Sequence, residues 1–498
     1  MLSSLSVSNF KSLKEIDNIS IAPITVLCGT NSCGKSSLIE SVLLLKQTMR
    51  DRELRESLIL NGEYVRLGDY ENVVFAHDTE RKMNFSYTFT FRSMGIIRQM
   101  APLLYFYRGN FRKIERVSVR LSYTVGTYKS DRTNKQYIDS VKIEVFDNEM
   151  YKKSFLQFRR EEGGYIINCD LTQDKKEEAR IIIENQDCVF LRGLEFNGVL
   201  PSMISLNNSL LRIVGENREK GKVLREVMWT IMDFFQVISK FIDKACNEMS
   251  YIGPLREAPA RRYIYDEVVS DIGTRGENAA YLLLNEQNEL SFKEYVLPDT
   301  DDNTFSFEQA VNEWMDYLGV KGLEVKRDKE ILRVFVNDTN TGNTVVNIAD
   351  VGFGISQVFP IVLEGLRMEQ DSLLILEQPE IHLHPKLQMQ IADFIIAAAS
   401  AKKNFLIETH SDHFINRLVR RIVEDETGQL ASLVNIYFVT PSPEGATFSP
   451  IEIDECQGIV NWPDGFFDQS ANELELIIKA GLKKRKDRRR KKLESEAK

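Results

Sequence analysis

Eight positions carry the clearest chemistry in this sequence: Gly29-x-x-x-x-Gly34-Lys35-Ser36. Glycines at the first and sixth places let successive backbone N–H groups turn inward around an anion. A helix starting at the lysine points its positive end at the same spot. A lysine there reaches the outer phosphates of a nucleotide, and the next hydroxyl can ligate Mg²⁺. The flanks supply the setting that this pattern requires. Ile24 to Cys28 is an apolar run of strand length, and from Ser36 onward Leu38, Ile39, Val42, Leu43 and Leu45 fall at helical spacing.

A second group lies in the C-terminal third. Ser372-Leu373-Leu374-Ile375-Leu376-Glu377 reads as a buried strand ending in an acid, suited to hold Mg²⁺ opposite Ser36. Phe405 to His410 reads as another buried strand, and its imidazole suits a place near a γ-phosphate. Asp350 to Gln357 holds Gly352, Gly354 and Ser356 in a turn that runs into an apolar helix, a second place for an anion. Four of the five histidines, His382, His384, His410 and His413, crowd into 32 residues. Zinc is the lesser reading of that cluster.

The elements that must position these groups follow from hydrophobic period. Strands are expected at 2–10, as an edge strand, and at 24–28, then a helix to about Arg55. Short alternating segments between 84 and 170 predict an antiparallel sheet. A helical stripe covers 220–250, an amphipathic helix runs from Phe305 to Tyr317, and Leu332 to Val346 reads as a hairpin. Buried strands then alternate with helices, which argues for a largely parallel sheet with its sites at the strand ends.

At 498 residues the chain is long enough for two or more domains, with 43% hydrophobic and 28% charged residues in the range of a globular protein. No apolar run reaches the length needed to span a bilayer. The N-terminus lacks the pattern of a secretion signal, and six scattered cysteines fit a reducing cytoplasm. Net charge is −9, yet residues 483–492 carry nine basic groups against one acid. That block suits phosphate backbones or an acidic partner, or a solvated tail.

Taken together, the phosphate loop, the Gly-rich helix start, Leu376-Glu377-Gln378-Pro379-Glu380-Ile381-His382-Leu383-His384-Pro385 and Glu408-Thr409-His410-Ser411 resemble the ABC-type ATPase heads of the RecF, SMC and OLD group. Asn9-Phe10-Lys11-Ser12, Tyr251 to Arg256 and Trp462 to Asp468 are similar to a narrower set, prokaryotic AAA-family ATPases that end in a small domain of unknown function. That set includes ATPase subunits of antiphage systems such as Septu (PtuA-like). The implied fold class is α/β, a P-loop NTPase of ABC-ATPase head type with a large α+β insertion between the Walker A and signature motifs. The implied division is 1–80 and 341–460 for the two halves of the head, 81–340 for the insertion and 461–498 for a C-terminal segment with the basic tail.

The resemblance implies ATP and Mg²⁺ as cofactors and a homodimer or higher oligomer with ATP sandwiched between heads. Gly29, Asn31, Ser32, Cys33, Gly34, Lys35, Ser36 and Ser37 would bind from one subunit, and Gly352, Gly354 and Ser356 from the other. Ser36 and Glu377 would hold the metal, and Glu377, Gln378, Glu380 and His410 would carry the chemistry. A dimerising, slowly hydrolysing switch with a separate nuclease-like effector is the function so implied, with DNA contact through 483–492 and no membrane role. One departure matters. The family pattern ends this strand Asp-Glu, whereas here it reads Glu377-Gln378, and an amide orients water without taking its proton. Glu377 or Glu380 must then act as base, or turnover is slow. The alternatives are an OLD-like nuclease and a catalytically weak scaffold. Only 88 residues follow His410, with Asp454-Glu455 the nearest acidic pair, which disfavours a nuclease in the same chain. A guanine reader is missing, since Asn134-Lys135-Gln136-Tyr137 lacks the final acid.

Overall fold

A computed structural model describes residues 1–51, 56–92, 115–130, 133–147, 152–169, 190–216, 221–264, 269–286, 293–294, 304–338, 342–352, 354–461, 463 and 469–496. The chain opens with strands β1 (Leu2–Phe10), β2 (Leu13–Ser20) and β3 (Ile24–Gly29), then helix α1 (Lys35–Arg50). The expected helix extends to Arg55, but α1 ends at Arg50, and 52–55 lie outside the described residues. Strands β4 (Met83–Phe91), β5 (Val117–Ser130), β6 (Thr133–Phe146), β7 (Lys152–Glu161), β8 (Gly164–Cys169) and β9 (Phe190–Leu191) follow.

All of these except β3 form one eight-stranded sheet, in the order β2-β1-β4-β5-β6-β7-β8-β9, with antiparallel neighbours. The expectation of an edge strand at 2–10 is therefore corrected. β1 lies between β2 and β4 and pairs antiparallel with both, a pairing with distant β4 that its own alternation does not reveal. This sheet takes strands from both sides of residue 80.

The second sheet holds the chemistry. It adds β10 (Met249–Ile252), β11 (Leu373–Glu377), β12 (Asn404–Glu408), β13 (Val434–Thr440) and β14 (Thr447–Pro450), in the order β10-β11-β12-β3-β13-β14. Every pair is parallel except β13 with β14. Near-continuous apolar runs such as Leu373-Leu374-Ile375-Leu376 make sense here, because a parallel sheet is covered on both faces.

The two-residue period of these strands sorts their side chains between two cores. Leu27, Leu373, Ile375 and Leu406 enter one, together with Leu38, Val42 and Leu45 of α1 and Phe85, Tyr87 and Tyr123 of the large sheet. Ile24, Val26, Leu374, Leu376, Phe405 and Ile407 enter the other. Glu377 follows Ile375 by two residues and Glu408 follows Leu406 by two. Both carboxylates therefore stand at the sheet's tip on the α1 face.

Helix α2 (Gly221–Asn247) matches the stripe expected at 220–250 and packs on the α1 side through Phe234, Phe235 and Ile238. On the opposite face lie α3 (Phe307–Tyr317), whose Ser306 and Gln309 make a capping box, then α4 (Gly354–Arg367), α5 (Pro385–Ser400) and α6 (Asp412–Glu424). The hairpin expected near 332–346 is the antiparallel pair Ile331–Asp338 with Thr344–Asn347. The basic block is helical, within α7 (Gln469–Glu496). Most of the Trp462 to Asp468 motif lies outside the described residues.

Candidate functional site

The phosphate loop leaves β3 at Gly29 (φ 140°) and enters α1 through Gly34 (φ 108°). Neither position has room for a side chain. A β-carbon on Gly29 would lie 2.2 Å from the Val439 carbonyl oxygen, and one on Gly34 would lie 2.6 Å from the Ala446 β-carbon. Asn31 and Ser32 are exposed at the loop's crest, and Ser32 is left-handed (φ 59°). Cys33 is buried beneath it, a packing residue like Cys28, whose thiol burial pushes up.

Lys35 is 3% exposed and donates to the carbonyls of Thr30 (2.7 Å) and Gly29 (3.2 Å), so the loop wraps its own lysine. Ser37 meets Ser12 (3.2 Å), and Lys11 forms an ion pair with Glu40, one turn along α1. The N-terminal Asn-Phe-Lys-Ser turn thus braces the start of the loop helix.

Ser36 is exposed, and its hydroxyl donates to both oxygens of Glu408 (2.9 and 3.2 Å). The acid beside Ser36 is therefore Glu408, where Glu377 was expected. The reason is strand order. β12 lies directly beside β3, with Glu408 opposite Leu27, whereas β11 is one strand further out. Glu377 stands in register with Glu408 and accepts instead from the Tyr251 hydroxyl (3.0 Å). Burial, then the charge of Glu408, pushes the Glu377 carboxyl up to about 7. Burial likewise raises Glu408, against the Ser36 hydrogen bond and the charge of Lys35. Glu408 went unselected in the sequence, although its strand ends as the Glu377 strand does.

Beyond the tip, Gln378 adopts φ 45° and donates its N–H to the Glu408 carbonyl (2.7 Å). Arg256, 4% exposed, donates to the carbonyls of Glu377 (3.1 Å) and Gln378 (3.3 Å). A guanidinium thus fixes a left-handed residue at a functional tip. Burial lowers Arg256 to about 10 against the pull of Glu380. Glu380 accepts from the His410 N–H (2.7 Å), its second oxygen is buried with no partner, and burial raises its carboxyl. His410 is held below its usual range by burial and then by Lys35, with the Gly29 carbonyl opposing. Its ring thus sits beside the phosphate loop.

The glycine-rich turn stands apart from this cluster. Gly354 begins α4 against Leu383 and the His382 carbonyl. Ser356 is buried, with Gln357 at 3.3 Å, and Arg261 binds Asp350 just upstream of Gly352 (3.1 Å). Phe353 lies outside the described residues. His384 caps α5, its Nδ1 accepting from the Lys386 N–H (3.2 Å). Among the described residues no three acid, histidine or cysteine side chains gather as a metal site. Gln47 is a staple: its amide binds the carbonyls of Ile59 and Val65 and the N–H groups of Tyr64 and Val65.

The residues fit a magnesium-bound nucleotide. Two positive-φ glycines turn the loop where the neighbouring strand and turn leave no room for a β-carbon, a buried lysine donates to the loop's own carbonyls, and a hydroxyl lies against a strand-end carboxylate.

Comparison with known proteins bears on the same segments. The family model described as AAA ATPase domain matches residues 1–415, and that of a protein of unknown function (DUF3696) matches 431–476. No curated protein matches. Similar solved structures include the SMC head domain from Thermotoga maritima, 10% identical over 91% of this chain and 99% of that one, with a TM-score of 0.36. Another is the Smc head bound to the C-terminal winged-helix domain of ScpA, 10% identical over 91% and 98%, with a TM-score of 0.36. A third is the Smc head domain with an extended coiled coil bound to the C-terminal domain of ScpA, from Pyrococcus furiosus, 10% identical over 96% and 99%, with a TM-score of 0.37.

Proposed function

The chain belongs to the AAA ATPase domain family, and on that premise we propose that it binds ATP with Mg²⁺, hydrolyses it slowly and uses it as a dimerising switch. The observation that supports this most is the meeting of Lys35, Ser36 and two strand-end carboxylates at one sheet tip. In this reading the N–H groups from Asn31 to Ser37 receive phosphate oxygens, and Lys35 exchanges the Gly29 and Thr30 carbonyls for them. Ser36 and Glu377 would hold a magnesium ion, which when bound would neutralise phosphate charge. Gln378 orients water, and Glu380, with one oxygen uncommitted and its carboxyl raised, takes the proton. His410 donates a hydrogen bond toward the outer phosphate. Gly352, Gly354 and Ser356 of a twin subunit close the site.

The switch would serve a prokaryotic antiphage or DNA-processing system in the cytoplasm, with a separate nuclease-like effector. The basic half of α7 would meet DNA phosphates. Among the described residues no helix is long and apolar enough to cross a membrane. A second reading, an ATP-binding scaffold with negligible turnover, is favoured by Gln378 alone. The test is nucleotide binding by the full chain. Lys35→Ala should weaken ATP affinity by about a hundredfold without changing the circular dichroism spectrum, in keeping with a lost charge-assisted contact. Undiminished binding would refute the reading. Light scattering with a non-hydrolysable ATP analogue should show a twofold mass increase that Ser356→Arg abolishes.

A further inference from the structure

Glu408 is a buried carboxyl beside the phosphate loop. It is 3% exposed, both its oxygens accept from the Ser36 hydroxyl, and the charge of Lys35 acts on it. Its neighbour in register is Glu377, another carboxylate on the same face of the sheet, and the charge of Glu40 reaches both. Glu40 is partnered by Lys11, and Glu377 receives a hydrogen bond from a neutral phenol. Lys35 is the cation whose charge acts on Glu408, while the charge of Lys11, already paired with Glu40, acts on Glu377. A nucleotide adds several more negative charges within a few ångströms, where screening is weak.

We propose that Glu408 makes nucleotide binding conditional on a divalent cation, by holding the Ser36 hydroxyl and repelling phosphate until a cation neutralises the tip. This rests on the ATP-binding reading above and assigns Glu408 as a positioning residue acting through Ser36. The geometry separates its role from that of Glu377. Glu408 occupies the hydroxyl that a cation would use as a ligand, so cation entry and release of Ser36 are one event. Free nucleotide meets a closed hydroxyl and a carboxylate of like charge. The cation-bound nucleotide meets neither.

The test is equilibrium binding of a fluorescent, non-hydrolysable ATP analogue to the full chain, with excess Mg²⁺ or with EDTA. For the natural sequence we expect affinity about a hundredfold higher with Mg²⁺. Glu408→Gln keeps the size and an acceptor for Ser36 but removes the charge. It should bind about tenfold more tightly in EDTA, with the magnesium gain reduced to about tenfold, the scale of one like charge removed at short range. Glu408→Ala should move both values in the same direction. Should it fail to fold, the glutamine variant carries the test, with a melting curve confirming its fold. Equal affinities with and without Mg²⁺ in the natural chain, or a Glu408→Gln chain unchanged in both buffers, would overturn the proposal. Either result would leave the ATP-binding reading standing, since that falls only if Lys35→Ala binds normally.

Discussion

Two adjacent strands end alike and do different work. β11 and β12 are each five residues long, run parallel, and finish in a glutamate at the same register on the same face. Their neighbours separate them. β12 adjoins the phosphate-loop strand, so Glu408 takes the Ser36 hydroxyl and feels Lys35. β11 lies between β12 and β10, so Glu377 takes the Tyr251 hydroxyl. The same pattern, an apolar run closed by an acid, thus acquires its role from strand order, a property of the fold that the segment itself does not carry.

The sharpest way to break this comparison is to neutralise each acid in turn and follow steady-state phosphate release. Glu377→Gln should lower turnover by about a hundredfold or more, the scale of losing a charged group at the reacting centre. Glu408→Gln should stay within about tenfold, because its charge acts on entry more than on the chemical step. Equal losses would erase the distinction. Restoring the family's acid comes next in size. Gln378→Glu should raise turnover by about tenfold, since a carboxylate can take the proton that an amide only orients. No gain would move the water away from this position. Smaller again is Arg256→Gln. Removing two donors from the carbonyls of Glu377 and Gln378 should cost about 2 kcal/mol, read as a melting point lower by about 2 °C for a chain of this length.

Much of this was legible before any coordinates. The loop, its strand and its helix follow from Gly29, Gly34, Lys35 and the flanking apolar period, since local sterics and hydrogen bonding set all three. The parallel sheet follows from the unbroken apolar runs at 373–376 and 405–407. The pairing of Ser36 with Glu408 did not follow, because it depends on which strand enters next to β3 from almost 380 residues downstream. A usable signal was present nonetheless. Leu406 and Glu408 share the parity of Ile375 and Glu377, and both acids close buried runs. The position of β1 inside a sheet was equally hidden, as its partner β4 lies beyond more than 70 residues of intervening chain. Arg256 was quoted within a motif, but its burial against two carbonyls of another strand is a tertiary event with no local signature.

The smallest effect isolates what sets Glu377 apart. Its folded carboxyl titrates at about 7 against an ordinary value of 4.5, so the folded chain binds the proton more tightly than the unfolded one. That linkage stabilises the nucleotide-free protein fully below about pH 4.5 and is lost as pH rises through 7, with no further change above. Its ceiling is about 3 kcal/mol. Melting points from pH 4.5 to 8 should therefore fall more steeply for the natural chain than for Glu377→Gln, and the difference between the two curves reports Glu377 together with its coupling to Glu408. Tyr251→Phe deletes the hydrogen bond that favours the charged form. It should shift the same window upward by roughly half a unit while leaving Ser36 and Glu408 untouched. A Tyr251→Phe profile that superimposes on the natural one would mean that the phenol does not set the charge of Glu377, and the contrast between the two strand tips would then rest on Ser36 alone.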